Sequence, residues 1–390
     1  MRERGVLLLL LLLAAMNGAG QNAPGDSGFD HFYNLEYDEA LADFRAEAAK
    51  NPGDPEAFNH VAQTILFRQM FRSGSLESDL IRADSFLRRP KLVLSAADQK
   101  DFSAAADRSI ELSQARLKKN ANDIGALYAL GVGYGIRANY NFLVKKAWID
   151  ALSDTAAARK AHTRVTELDP NLIDARLILG VHEYVTGSLP WGFRMLGSVA
   201  GFSGDKEHAI RTLELVAAKG RSNKYDAGAL LVAIFRREKR SREAVPYLEE
   251  LIRHFPRAYL VRLELAEAFG DIGDRAAALA KVDEADRLKK DDAPGYGRLP
   301  EAKIRYTRGN LLFGFGDLDR ALEEMRAATA GQGELDPSTA GYAWLRLGQI
   351  YDLKGGRAQA VEAYREAIRR APDSDAAGEA KGYISSRYKK

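Results

Sequence analysis

The chain has 390 residues, of which 46% are hydrophobic and 28% charged, so it can bury a large core and is not disordered by composition. It contains no cysteine, which excludes disulfides, thiolate-ligated metal sites, a thiol nucleophile and a lipidated N-terminal cysteine. Lysine and arginine number 57 against 54 aspartate and glutamate residues, and the net charge of +3 gives no strong field for nucleic acid or an anionic membrane.

Residues 1–20 have the layout of a cleaved secretory signal. Arg2 and Arg4 precede the apolar run 6–16, whose 11 residues fall short of the about 20 that a membrane-spanning helix needs. Small residues follow at 18–20, and we expect cleavage within 19–23. The mature protein should then be periplasmic or secreted, not a lipoprotein and without stable membrane insertion. An uncleaved anchor is the alternative.

Residues 21–28 are expected to form a flexible linker. Within them, Gly25-Asp26-Ser27-Gly28 matches the turn around the nucleophile of trypsin-like proteases. No β-rich domain surrounds this tetrapeptide, so we interpret it as part of the connector and not as a catalytic site.

Residues 29–185 contain recurring pairs of helices. One pair begins at Leu130, Gly131 and Tyr134, and its second helix places His162 at a position for a large core side chain. Residues 68–108 fit no such pair and are predicted to be an irregular insertion. A second insertion is expected at 186–205, since the step between equivalent alanines is longer here by 17 residues than the usual 34.

The pattern is clearest within residues 206–390. Its last full copy consists of Trp344, Leu347, Gly348, Tyr351, Ala360, Tyr364, Ala367 and Pro372. These spacings predict two helices joined by a turn at Gly355-Gly356, with small residues where the helices meet. Asp336-Pro337-Ser338, before the first of them, offers a helix N-cap with proline in the first turn. An additional helix from about residue 376 is expected to cap the array.

These residues and offsets resemble the tetratricopeptide repeat (TPR), whose unit is 34 residues long. The whole chain is similar to uncharacterised secreted bacterial TPR proteins. The resemblance implies an all-α fold: a right-handed superhelical solenoid of antiparallel helix pairs, with about eight hairpins and insertions. It also implies that the first helix of each pair lines a concave surface.

No arrangement of residues predicts catalysis or a cofactor. The six histidines are dispersed, and no two lie three or four positions apart on a helix, so no local metal site is expected. Adjacent carboxylate pairs on helices point about 100° apart and are interpreted as solvated faces. We therefore expect a protein that is not an enzyme and holds no metal.

The repeat register predicts a concave binding face, because aromatic rings and amides there can hold an extended peptide. Seven residues at inward-facing positions are the candidates: Tyr128, Tyr184, Lys303, Tyr306, Asn310, Tyr342 and Gln349. Lys303, Tyr306 and Asn310 share one helix face, with Tyr342 and Gln349 on the next first helix. Packing against neighbouring hairpins is the alternative role for each.

The predicted function is a non-catalytic binding or scaffold protein of the bacterial cell envelope that recognises peptide or protein partners. A solute-binding accessory component of a transport system is the alternative, and a hydrolase would need a metal or triad that the sequence does not offer. The partner's identity is not predicted.

Overall fold

The computed structural model describes residues 27–76, 91–188, 204–331 and 334–389. The predicted signal 1–20, most of the predicted linker and residues 189–203 of the second insertion lie outside the described residues. Within the described ranges the chain forms helices and turns, and these ranges contain no β-strand. The expected all-α class is confirmed.

Seventeen α-helices occur in the described ranges. They are α1 (Ser27–Tyr33), α2 (Tyr37–Lys50), α3 (Pro55–Arg72), α4 (Ala96–Lys119), α5 (Ile124–Tyr140), α6 (Trp148–Leu168), α7 (Arg176–Gly187), α8 (Lys206–Lys219), α9 (Lys224–Arg237), α10 (Ser241–His254), α11 (Tyr259–Ile272), α12 (Arg275–Lys290), α13 (Glu301–Gly314), α14 (Leu318–Ala330), α15 (Pro337–Leu353), α16 (Arg357–Arg370) and α17 (Asp375–Ser385). A π-helical turn, Asn141–Lys145, follows α5.

The chain divides into two compact units. Among the described residues, the first unit comprises 27–69 and 91–233, and the second comprises 70–76 and 234–389. In the first unit, α5 packs against α4 and α6, and α7 packs against α8. In the second, α11 pairs with α12, α13 with α14, and α15 with α16, while α17 packs on α16. Connections of two or three residues make each of these three pairs antiparallel.

Small residues let the paired helices approach closely. A Cβ atom added to Gly348 of α15 would lie 2.4 Å from Cε1 of Tyr364 on α16. The same contact recurs in the first unit, where a Cβ at Gly131 would lie 2.3 Å from Cδ2 of His162. His162 is 1% exposed, which confirms its predicted core role. The spacing read from the sequence therefore marks positions where a large side chain of the second helix packs directly against the backbone of the first.

A cap residue and a turn residue bound the helices where the sequence predicts. Asp336 caps α15 by accepting a hydrogen bond from the Thr339 backbone N–H at 2.8 Å, and Pro337 stands at the first helical position. Gly355, between α15 and α16, has a φ of +86°, a conformation that glycine adopts without a steric penalty. The predicted turn at Gly355-Gly356 is confirmed.

Two boundaries need correction. Of the predicted irregular insertion 68–108, residues 68–72 form the end of α3 and residues 96–108 form the first half of the long helix α4. Ser27 and Gly28, predicted to lie in a flexible linker, begin α1, where Gly28 is buried close to the ring of Phe44. In both segments tertiary packing orders residues that do not follow the 34-residue pattern.

Candidate functional site

The two candidates in the first unit are enclosed. Tyr128 and Tyr184 are both 0% exposed, which corrects the expectation that their side chains are accessible. The Tyr128 hydroxyl accepts a hydrogen bond from Nδ2 of Asn223 at 2.6 Å, and burial raises its pKa well above the ordinary value. Nζ of Lys206 lies 5.8 Å from the centre of the Tyr184 ring. Partner binding by these tyrosines stays a prediction.

Lys303 and Tyr306 are also buried, which again corrects the expected exposure. Lys303 donates hydrogen bonds from Nζ to Oδ2 of Asp336 and Oγ1 of Thr339, both at 2.8 Å. Tyr306, 4% exposed, packs in a cluster that includes Met325. Both side chains connect α13 to its neighbouring helices, so their first role is structural.

Of the other three candidates, Asn310 lies on α13, and Tyr342 and Gln349 lie on α15. Asn310 and Tyr342 are half-buried, and Tyr342 packs against the core formed by α13 to α16. Gln349 is buried, but its Oε1 atom accepts a hydrogen bond from Nη1 of Arg346 at 2.7 Å. The structure therefore brings Asn310 and Gln349 together through one arginine.

A cleft of about 380 Å³ opens along the first helices of three successive pairs. These helices, α11, α13 and α15, contact one another in order, and this is the surface that the repeat register predicts to be concave. The lining residues come from all three helices and from the turns after α11 and α13: Glu267, Gly270, Asp271, Gly273, Asn310, Leu311, Phe313, Gly314, Phe315 and Arg346.

Acidic side chains from α11 form one wall of the cleft. Arg236 of α9, whose side chain is 1% exposed, donates to Glu267 and to Asp271 at 3.1 Å and also contacts Glu264. The hydroxyl of Ser241 donates to Oδ2 of Asp271 at 3.0 Å. One buried guanidinium thus fixes three carboxylates, which keeps this wall rigid.

Arg346 of α15 lies at the opposite side of the cleft. Its Nε donates to Oδ1 of Asn310 at 3.0 Å, and its guanidinium carbon lies 4.3 Å from the centre of the Phe313 ring. Its other hydrogen bond goes to Gln349, so both hydrogen-bond partners of the Arg346 guanidinium are neutral amides. Among the residues that the structure describes, no carboxylate forms an ion pair with Arg346. The guanidinium is held in position without a counter-charge at bonding distance.

Other arginines of the second unit differ from Arg346 in this respect. Arg262 pairs with Glu284, Arg308 with Asp283, and Arg357 with Asp352. Arg346 is near enough to Glu379 of α17 to oppose the rise that burial causes in the pKa of that carboxyl. Charge, fixed orientation and a place on the cleft lining are the properties expected of an anion-binding side chain.

Sequence reasoning missed Arg346, because the register assigned the inward positions to its neighbours on α15. A usable signal was present: Arg346 lies three residues before Gln349, so the two share a helix face. The pairing with Asn310 joins α13 to α15, which are 36 residues apart at these positions, and no single-helix pattern reveals it.

Groups that could hold a metal ion are absent from the described part of the chain, where no three histidine, aspartate or glutamate side chains converge suitably. Nor is any described helix both long and apolar enough to cross a bilayer.

Residues 230–293 and 306–382 match the family model of the tetratricopeptide repeat. No curated protein sequence matches this chain. Among solved structures, yeast Tom70 is similar at 14% identity, covering 94% of this chain and 90% of that one, with a TM-score of 0.40. A tetratricopeptide repeat protein from Parabacteroides merdae has 12% identity, coverage of 81% and 95%, and a TM-score of 0.33.

YrrB, described as a TPR protein with an unusual peptide-binding site, has 16% identity to this chain. The alignment covers 70% of this chain and 99% of YrrB, with a TM-score of 0.31. Similarity at this level does not transfer a ligand. The family model and the helix pairs agree: residues 230–293 and 306–382 contain tetratricopeptide repeats, and the close contact at Gly348 lies within them.

Proposed function

We propose that this chain is a non-catalytic scaffold of the bacterial cell envelope, which binds an extended segment of a partner protein in the cleft of its second unit. The observation that carries the proposal is Arg346, held by two amides and a ring and facing no carboxylate at ion-pairing distance among the described residues. An acidic side chain of the partner would supply that counter-charge.

The rest of the cleft supports a peptide over a small solute. Its lining combines two phenylalanine rings, aliphatic carbon, one side-chain amide and charges along three helices, which together offer contacts to successive residues of an extended chain. The cell-envelope location rests on the layout of residues 1–20 and is proposed together with the function.

The test is capture of partners from an envelope extract by the purified protein, with identification by mass spectrometry. Arg346→Met removes the guanidinium and its charge but leaves an unbranched apolar side chain next to Phe313. Loss of one well-placed charge-assisted contact at a binding hot spot costs about 2 kcal/mol, or roughly 30-fold in affinity. We therefore expect Arg346→Met to weaken capture of the same partner by that factor. The variant also loses its hydrogen bonds to Asn310 and Gln349, so circular dichroism must show that it is folded at the temperature of the capture experiment.

Arg365→Met is the matched control, because Arg365 is an exposed arginine of α16 whose carboxylate contact is with Glu362 on the same helix. It should capture the partner as the natural chain does. Equal capture by both variants would contradict the proposed role of the cleft. A small molecule in native mass spectra, with no protein partner, would instead support the transport-accessory alternative.

A further inference from the structure

Residues 386–389 leave α17 and cross to the end of α15. Nε of Arg387 donates a hydrogen bond to the backbone carbonyl of Asp352 at 3.0 Å, and the Tyr388 backbone N–H donates to Oδ2 of the same residue at 2.9 Å. The Tyr388 ring lies 5.1 Å from that of Tyr383 and 6.3 Å from that of Phe313, measured between centroids.

The surface under this segment is built by other parts of the chain. Asp352 is 0% exposed and accepts two hydrogen bonds from Arg357, both at 3.0 Å, and one from the Tyr364 hydroxyl at 2.9 Å. Arg357 also donates to the carbonyls of Tyr383 and Ile384 and so fixes the end of α17. These contacts remain if residues 386–389 move away.

The segment itself is held by few contacts. Ser386, Arg387 and Lys389 are exposed, and only Tyr388 is half-buried. Ordering each residue of an extended segment costs conformational entropy, which the small number of contacts here offsets only narrowly. A competing segment with similar contacts can therefore take its place.

This surface is continuous with the cleft. The ring of Phe313 lines the cleft beneath the guanidinium of Arg346 and also contacts Tyr388. A peptide lying in the cleft and extended past Phe313 would reach the position of Tyr388.

We propose that Phe313, Asp352 and Tyr383 form an exchangeable docking surface, which residues 386–389 occupy within the chain and which an extended Arg-Tyr segment of a partner protein takes over. The proposal extends the proposed function. The partner segment is defined by the contacts now seen: a guanidinium for the Asp352 carbonyl, a backbone N–H for its carboxylate, and a ring for Phe313 and Tyr383.

The test uses the full chain with Arg387→Ala and Tyr388→Ala together, and a fluorescent synthetic peptide of residues 384–389. A segment tethered within the chain acts at an effective concentration of millimolar order. For residues 386–389 to stay ordered, their dissociation constant for the docking surface must be about 0.1 mM or below. The free peptide should bind the double variant with a dissociation constant in that range. Binding to the natural chain should be at least about tenfold weaker, since its own segment competes.

Two controls make the result specific. Lys381→Ala changes an exposed residue of α17 and leaves the segment in place, so this chain should bind the peptide as weakly as the natural one. A peptide with alanine at the positions of Arg387 and Tyr388 should not bind the double variant. Circular dichroism must show that the double variant stays folded, and the single variant Tyr388→Ala serves if it does not.

Equal peptide binding by the natural chain and the folded variant, or none by either, would overturn the proposal. This assay needs no natural partner, so its outcome is separate from that of the capture experiment. If the peptide exchanges and no partner is captured, the proposed function fails while the docking surface stands. If a partner is captured through Arg346 but the peptide does not exchange, only the docking surface is lost.

Discussion

At Gly348 the helices α15 and α16 are so close that a methyl group has no room. The obstacle is the ring of Tyr364, which is 0% exposed and anchored through its hydroxyl to Asp352 at 2.9 Å. Because the ring is attached to the backbone through Cβ and fixed at its hydroxyl by Asp352, it cannot move away from an added atom. The glycine is therefore required by packing, although alanine is the better helix former.

We expect Gly348→Ala to lower the free energy of unfolding. Overpacking costs about 1–3 kcal/mol, and the gain in helix propensity returns at most about 1 kcal/mol, so a net loss of up to about 2 kcal/mol should result. Urea unfolding measures it. The matched control is Gly378→Ala in α17, where an added Cβ has no neighbour within 4 Å and only the propensity gain of up to about 1 kcal/mol applies.

His162 gives the first unit an acid-sensitive core. Burial, the largest effect, lowers its pKa from 6.5 to about 3, whereas the unfolded chain returns it to the ordinary value. Between these values the unfolded state binds a proton that the folded state does not. Stability from this residue is thus complete above about pH 6.5 and decreases as the pH falls toward 3.

Replacing His162 with phenylalanine should flatten this dependence. The variant keeps a ring beside Gly131 and Tyr128 but has no titrating group, so its melting temperature should fall less between pH 7 and pH 4 than that of the natural chain. Thermal unfolding, monitored by circular dichroism at pH 7 and at pH 4, measures the two melting temperatures. Parallel decreases in both proteins would show that His162 does not contribute.

At the scale of helices, the buried pair of Lys303 and Asp336 ties α13 to the start of α15. Burial raises the pKa of Asp336, but the charge of Lys303 and hydrogen bonds from Lys303 and Thr339 outweigh it and hold the pKa below the ordinary value. Asp336 is also the cap of α15, so one carboxylate fixes both the helix end and the contact between repeats.

Lys303→Met should be strongly destabilising, because it leaves a buried carboxylate without its lysine. Loss of one partner of a buried pair costs on the order of 3 kcal/mol, visible as a lower midpoint in urea. The comparison is Lys354→Met, which removes a surface contact with the exposed Asp319 and should cost less than about 1 kcal/mol. Equal midpoints for the two variants would contradict a structural role for Lys303.

At the scale of the whole molecule, the predicted signal in residues 1–20 would determine where the proposed binding surface operates. If residues 1–20 direct export, the protein recovered from the periplasmic or secreted fraction should begin between Gly20 and Pro24. Mass spectrometry of the intact protein and of its N-terminal peptide measures this directly. Recovery of a chain that begins at Met1 from the cytosol would contradict export.

The helix pairs and their closest contacts were predictable from the sequence alone. Spacings within one pair depend on 3.6 residues per turn and on small residues facing large ones, as at Gly348 and Tyr364 or Gly131 and His162. Both are local properties, which explains why the turn at Gly355 and the cap at Asp336 were also placed correctly. The long helix α4 was missed, because it lies outside the 34-residue pattern.

The site was decided by tertiary structure. Which inward side chains stay open to a partner depends on contacts between repeats, and these buried Lys303 against Asp336 and Tyr306 in the core while leaving Arg346 beside amides. Lys303 and Asp336 are 33 residues apart in the sequence, and Asn310 and Arg346 are 36 residues apart. Small differences in how neighbouring helix pairs stack change which of these side chains come into contact. The periodicity within one helix does not determine that stacking.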